Sequence, residues 1–443
     1  MSSVIELFVT SPRAFLAMLS SKLFNDAVSM GLHDTLAASI DVAVRAMNGA
    51  GPTAGLFTSP NVPLSNVIKV LSSPNIGGPA IARIFGTGII PISTIKTILG
   101  DTSIPADKVQ ATLYSMADLG YFDLLVNLFT FDRSDATYST STTLTTGVNY
   151  LRNVSIASGV TLTLGASPCV IVADTLTNSG TITTNVVKGA GGAPGASGAG
   201  AGGAGRHGII ILARTLGAGT VVSDGASGAA GSAVAANGSG GAGGAGLFWE
   251  VFGYPAGIGG RGGNYNAGGG SKNAGGGGGG YTVAYYGGSG GAASVATYLD
   301  PTRLLADIFK TVADHWTVNI LGKTPTGTMA VPALGGSGGG GGAAQDTYSA
   351  GGGGGGGGGQ IVVYGTLLAS GSFFARGGAG GNGGGEGSYD AGGGGGGGGI
   401  VYVFRRTRTG TLSFNVAGGA AGAGDPPYPA SAGSAGSAAE FVV

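Results

Sequence analysis

The sequence is poor in charge. Only 9% of its 443 residues are Asp, Glu, Lys or Arg, against roughly 25% in an average soluble domain. Acidic and basic residues number 21 each and cancel. There is neither a basic footprint for nucleic acid nor an acidic tail. A single cysteine, Cys169, excludes an internal disulfide. It lies in an apolar run and reads as a packing residue. The histidines, His33, His207 and His315, fall in different segments without metal-ligand spacing. No apolar run reaches the ~18 residues that suggest a membrane span. Prolines number 17 against 97 glycines. That argues against collagen, where glycine takes every third place and proline is abundant. Hydrophobic residues still make up 42%. With zero net charge, this is not the composition of a disordered chain.

The opening stretch, MSSVIELFVTSPRAFLAMLSSKLF, reads as a poor signal peptide. Pro12 and Arg13 break its apolar part, and the basic residues follow that part instead of preceding it. A protein unlike a cytoplasmic enzyme, without a secretion signal, fits a virion component that assembles inside the host and leaves with the particle.

Residues 1–130 read as helical. Ser11 and Pro12 mark a helix start, and DTLAASIDVAVRAM has helical apolar spacing. A 14-residue repeat follows: SPNV at Ser59 returns as SPNI at Ser73, and more loosely at Thr87 and Thr102. The apolar ladder keeps register through Val62, Ile76, Ile90 and Ile104. It continues with the pairs Val67 and Leu71, Ile81 and Phe85, Ile95 and Leu99, Val109 and Leu113. Each pair is four apart, on one helix face. The repeat predicts short helices that stack on each other or on a partner chain. These eight residues are the candidates for assembly, in a module docking onto other virion or tail proteins.

From Thr137 the composition turns to Thr, Ser, Val and Gly. Residues 131–185 read as a β-strand connector. The stretches from Val170, Ile209, Ile361 and Ile400 share one plan: strand, short turn, a glycine followed by Thr or Ser, strand. The marker glycines are Gly180, Gly219, Gly371 and Gly410. After each strand pair a glycine-rich tract leads away, a polar or aromatic tip intervenes, and a second tract leads back. Gly351–Gly359 is one such return tract of nine glycines. Glycine in a fixed conformation costs about 0.5–1 kcal/mol per residue relative to Ala, so dense packing must offset it. A three-residue-per-turn helix of the polyproline II type has outward N–H and C=O groups. Without side chains, neighbouring tracts of that type can satisfy each other. A flexible linker would be aperiodic and mixed with serine.

The expected fold class is therefore multidomain. A small all-α N-terminal module of short helices precedes an all-β region and a polyglycine II sandwich interleaved with strand pairs. Residues 186–443 form that glycine-rich body. YLDPTRLLADIFKTVADHW, with Asp300 as N-cap and Leu304, Leu305, Ile308, Phe309 and Val312 on one side, reads as an inserted amphipathic helix near 300–316. It is expected to pack on the glycine body or on a neighbouring subunit.

Signs of catalysis are few. LGKTPTG has the tail of a phosphate-binding loop, but Thr317 stands where the motif needs Gly. Glu386 and Asp390, on one tip, could serve a glycosidase, although a solvated loop pair is the plainer reading. The expectation is a protein that is not an enzyme and has no cofactor or metal. The tips hold what the body lacks: Asn264, Tyr265 and Asn266; Lys272 and Asn273; Asp346 and Tyr348; Tyr389 and Asp390; Pro427 and Tyr428. Aromatic and polar side chains on a rigid scaffold suit surface or carbohydrate recognition. The plainer reading of any single tip is that these residues cap the glycine helices and satisfy their last backbone groups.

The tracts AGGGGGGGGG at Ala350, AGGGGGGGG at Ala391, GSGGAGGAG at Gly238 and AGGGGGG at Ala274 resemble the polyglycine II sandwich of receptor-binding adhesins at the tips of T-even-type phage long tail fibres. The strand pairs also look like those of β-solenoid tail fibres and tailspikes. The resemblance covers roughly residues 185–443 and implies host attachment through the tip loops. It also implies a closed homo-oligomer, expected to be a trimer, on the virion surface. The alternative reading is a subunit of an extracellular filament or surface layer. A polysaccharide-degrading tailspike is a third option.

Overall fold

The structure is a computed structural model. It describes residues 19–47, 49–166, 168–184, 208–229, 301–328, 349–350, 353–385, 392–424 and 430–443. The chain divides into two compact units. One combines Met1–Asp132 with Asp300–Val331, the other Arg133–Leu299 with Pro332–Val443.

The first unit is helical: α1 (Ser21–Ser29), α2 (His33–Met47), α3 (Ala50–Phe57), α4 (Leu64–Ser72), α5 (Gly78–Phe85), α6 (Ile92–Gly100), α7 (Ala106–Asp118), α8 (Phe122–Thr130) and α9 (Pro301–Asn319). The repeat sets the starts of α4 to α7. Their N-cap positions are Pro63, Gly77, Pro91 and Pro105, 14 residues apart. Proline's fixed φ suits a helix start. The turn before each helix is built the same way. A side-chain oxygen of Ser59, Ser73, Thr87 or Asp101 accepts a hydrogen bond from the amide two residues on, at 3.4, 3.2, 3.3 and 2.9 Å. Such local bonds favour turns over helix continuation, so each unit breaks at the same place. Val62, Ile76, Ile90 and Ile104 then enter the core. At Gly78 a Cβ would come within 2.6–2.8 Å of the Ala111–Thr112 backbone, so only glycine lets α5 lie this close to α7.

The second unit is a coil of parallel strands. One sheet has seven strands in the order β1 (Ala136–Tyr138), β3 (Val148–Ile156), β5 (Cys169–Asn178), β7 (Ile209–Gly217), β10 (Gln360–Leu368), β13 (Ile400–Arg408) and β15 (Ser437–Val442). The other has six, in the order β14 (Leu412–Asn415), β11 (Gly371–Phe374), β8 (Gly219–Val222), β6 (Thr181–Thr184), β4 (Thr161–Leu164) and β2 (Thr142–Leu144). Two short strands, β9 (Ser349–Ala350) and β12 (Gly384–Gly385), pair antiparallel. Six turns of the coil each give one strand to each large sheet, and β15 adds a seventh strand to the first. Every partner within those two sheets is the corresponding strand of the turn before or after, in parallel register, as Ile209, Ile361 and Val401 show. The core between the sheets holds Leu162, Ile171, Ile182, Ile211, Val221, Val363, Phe373 and Val403, each 0% exposed.

These sheets overturn the expected fold class. The chain is not a small all-α module followed by an all-β region. It combines helices with two large parallel sheets, an α/β fold. The strands on either side of each marker glycine belong to different sheets and do not pair with each other. The marker glycines stand at the corner between sheets. A Cβ on Gly180 would fall on the carbonyls of Val160 and Ala157, and Gly219 has φ +52° beside Asn178. The inserted helix also departs from expectation. α9 packs on α7 and α8 within the helical unit, which is therefore made of two separate chain segments.

Candidate functional site: the glycine legs

In the first turns the chain returns from the second sheet to the first within residues 145–147 and 165–168. Later returns are long. A leg runs out from the second-sheet strand and another runs back to the next first-sheet strand. The described outgoing legs are residues 223–229, 375–383 and 417–423. The described return legs are residues 353–359, 392–399 and 430–436.

The legs bond to each other in a repeating scheme. Outgoing legs pair side by side: the amides of Gly377, Gly380 and Gly383 donate to the carbonyls of Ala417, Ala420 and Ala423 at 2.8–2.9 Å. Return legs do the same, with Gly355 to Gly394 and Gly358 to Gly397 at 2.8 and 2.9 Å. Between the layers, Gly378 and Gly381 donate to Gly356 and Gly353 at 2.7 Å, and Gly396 and Gly393 to Gly378 and Gly381 at 2.9 Å. Donors to one neighbour recur every third residue, the period of a three-per-turn helix. Such a helix makes no bonds of its own, so the neighbouring legs supply them.

Glycine content follows packing. In the return legs 353–359 and 392–399 every residue is glycine and every one is buried. A Cβ on Gly355 would fall on the carbonyl of Gly378, and one on Gly395 on that of Gly419, each closer than the 3.0 Å that real Cβ atoms keep. In the outgoing leg 375–383 one residue in three is free to differ. Arg376 and Asn382 are exposed and Ala379 lies in the same phase. Arg376 uses the freedom to pair with Asp224, Nε to Oδ2 at 3.0 Å, while its amide donates to Oδ1 at 2.7 Å. In the outermost return leg only Gly433 and Gly436 remain, at the phase that faces the preceding return leg.

The receptor-binding candidates Asn264, Tyr265, Asn266, Lys272, Asp346, Tyr348, Tyr389, Asp390 and Tyr428 lie outside the described residues, as do Asn273, Glu386, Pro427 and the helix start at Ser11 and Pro12. What is described is the scaffold that leads to three of these tips. The assembly candidates are buried inside the helical unit. Val67, Leu71, Phe85, Ile95, Val109 and Leu113 are 0% exposed, Leu99 1% and Ile81 2%. Within the repeat α5 packs on α7, while α4 packs on α2 and α6 on α8. The surface of that unit does carry an open groove of about 370 Å³, lined by Leu64, Ile68, Lys69 and Asp101.

Polar chemistry in the helical unit holds its parts together. Lys323, in the LGKTPTG stretch, donates to the carbonyls of Asp101 and Ile104 at 2.6 and 2.7 Å. Its amine is thus engaged by the turn that precedes α7. Asp314 of α9 accepts from Gln110 at 2.7 Å and from Tyr114 at 2.6 Å. Lys310 bridges Asp118 at 2.6 Å and Asp307 at 3.4 Å. Burial pushes the Asp307 carboxyl up and pulls the His315 imidazole down. Burial also raises the Cys169 thiol, whose sulfur lies 3.2 Å from the Thr184 hydroxyl. A raised thiol pKa leaves little thiolate, as suits a packing residue. Among the described residues no group of three His, Cys, Asp or Glu is placed to hold a metal ion. None of the described helices is long and apolar enough to cross a membrane.

Sequence reasoning missed the exposed phase of the outgoing legs. The signal was present in ARGGAGGNGGG, where Arg376, Ala379 and Asn382 are three apart. Comparison with protein-family models, with curated proteins and with solved structures finds no match.

Proposed function

We propose that this chain is a non-enzymatic structural protein of a virion, an adhesin of the tail-fibre or tailspike type that presents its tips to a host surface. One observation carries the reading. Between successive coil turns, paired glycine legs bonded in two layers lead the chain out to a tip and back. Binding loops gain from a rigid support, because less ordering remains to be done on contact. The tips place Tyr, Asn, Asp and Lys between tracts made almost wholly of Gly, Ala and Ser, and such side chains suit glycan or protein surfaces. The helical unit serves as the attachment to other virion proteins, and the assembly is a closed oligomer, a trimer.

The test uses the purified full-length protein. Sedimentation is expected to give one closed oligomer. A glycan array together with a panel of microbial cells is expected to give a specific signal. Replacing Tyr348, Tyr389 and Tyr428 with Ala should weaken that signal at least about tenfold, since aromatic anchors dominate such contacts, while the melting temperature stays unchanged. An open polymer would favour a filament subunit. Reducing ends released from envelope polysaccharide would make it a tailspike enzyme. Either result overturns the proposal, as does a signal untouched by the tyrosine changes.

A further inference from the structure

We infer that Ala432 and Ala435 are the stop of the glycine stack: they close its C-terminal edge against a further pair of legs. The inference does not depend on what the tips bind. Strand register fixes which residues are equivalent. Gln360 aligns with Ile400, and Ile400 with Ser437. Counting back along the legs, Gly355 corresponds to Gly395 and then to Ala432, and Gly358 to Gly398 and then to Ala435.

The hydrogen bonds give the same alignment. Gly355 donates to Gly394, and Gly395 donates to Ser431 at 3.0 Å. The donor is each time the residue after the acceptor of its own leg, which makes Ala432 the next donor. Gly398 donates to Ser434 at 2.8 Å, which makes Ala435 the one after it. At this phase the Cβ direction points to the next outgoing leg. A Cβ on Gly355 would meet Gly378, and one on Gly358 would meet Ala375. One on Gly395 would meet Gly419, and one on Gly398 would meet Val416. Each time a backbone carbonyl is in the way.

At 432 and 435 the chain places a methyl group on this phase. Both alanines are exposed. Their amides have no backbone acceptor among the described residues. An outgoing leg added beyond 417–423 in the interior geometry would bring a carbonyl onto each methyl group. The glycines that remain, Gly433 and Gly436, are at the other phase, where a Cβ would meet Gly396 and Gly399. Glycine is thus kept on the face that packs against a neighbouring leg and replaced by alanine on the open face. A repeating architecture needs terminal units that do not accept a neighbour. An open edge with unpaired amides is otherwise a template for association.

The experiment offers the edge a further turn in cis. The full chain is extended by repeating residues 407–443 after Val443, which supplies a second-sheet strand, a leg pair and a closing strand. One version keeps Ala432 and Ala435. The other carries A432G and A435G. Hydrogen exchange is read at the amides of 432 and 435, with the unextended protein as reference. The glycine version is expected to slow exchange there at least about 100-fold, as for an amide whose opening needs cooperative unfolding. The alanine version is expected to exchange as fast as the unextended protein. Equal slowing in both versions overturns the stop, because the methyl groups would then not block packing. No slowing in the glycine version overturns it as well, because something else would then close the edge.

Discussion

Gly355→Val should lower the stability of the coil unit by at least about 3 kcal/mol, the upper range for overpacking a dense interior. Gly355 is buried, and the backbone of Gly378 and Ala379 faces it from the next outgoing leg. Its amide donates to Gly394 at 2.8 Å, and its Cβ direction runs into the Gly378 carbonyl. Valine would add three carbons there. The neighbouring backbone must move, and the bonds from Gly378 to Gly356 and from Gly396 to Gly378 move with it. A buried amide or carbonyl left unpaired costs about 1–3 kcal/mol more. For a unit of this size the melting transition should fall by about 10 °C. The control is Ala379→Val. Ala379 occupies the phase of the exposed Arg376 and Asn382, so its change should stay within about 0.5 kcal/mol. Thermal melts of the two variants decide the matter. Equal effects would mean that the phases are not distinguished.

The second large effect is expected in the helical unit. Trp316→Ala should cost about 3–5 kcal/mol, the range for deleting a buried large aromatic. Trp316 is 0% exposed and tilts against Phe129 at 5.4 Å between ring centroids. Two turns earlier on α9, Phe309 stacks on Phe122 at 4.9 Å. These two ring pairs tie α9 to α8. Without the indole, α9 should leave the unit before the rest unfolds. Limited proteolysis should then cut first within residues 301–328. Cleavage elsewhere first, with that segment intact, would show that the ring contacts do not hold it.

How much of this could be read from the sequence differs by element. The 14-residue repeat was legible because every unit carries a side-chain oxygen at 59, 73, 87 or 101 and an apolar residue three positions later. Turn chemistry of this kind is local and shows in the letters. The marker glycines were legible for the same reason, since a corner between sheets leaves no room for a Cβ at Gly180 or Gly219. The parallel sheets are less plain in the sequence, although they leave a signal. IIILA, IVVYG and IVYVF are unbroken apolar runs, the mark of strands covered on both faces in a parallel sheet, and Ile209–Ala213 and Gln360–Gly365 are indeed buried throughout. Strand partners tens of residues apart leave no local trace, so the sequence shows only the two strands of each turn side by side.

The place of α9 was hidden for a related reason. Its apolar stripe predicts a helix with one buried face. The residues that reveal its partner are Lys310 and Asp314, whose partners Asp118, Gln110 and Tyr114 lie about 200 positions away. Charges with distant partners look solvated in a sequence. For the candidate site, the layout of legs and tips was legible, because leg length and glycine runs repeat. The division of each leg into buried and exposed phases needed the neighbours to be known.

The architecture requires the glycine legs to be ordered and bonded to each other. Amide hydrogen exchange of the unmodified protein tests this most directly. The amides of Gly355, Gly358, Gly378, Gly381, Gly393 and Gly396 each have a backbone acceptor in another leg, so they should exchange only as slowly as the coil unit opens. Exchange of these amides at the rate of an unstructured glycine chain would contradict the account.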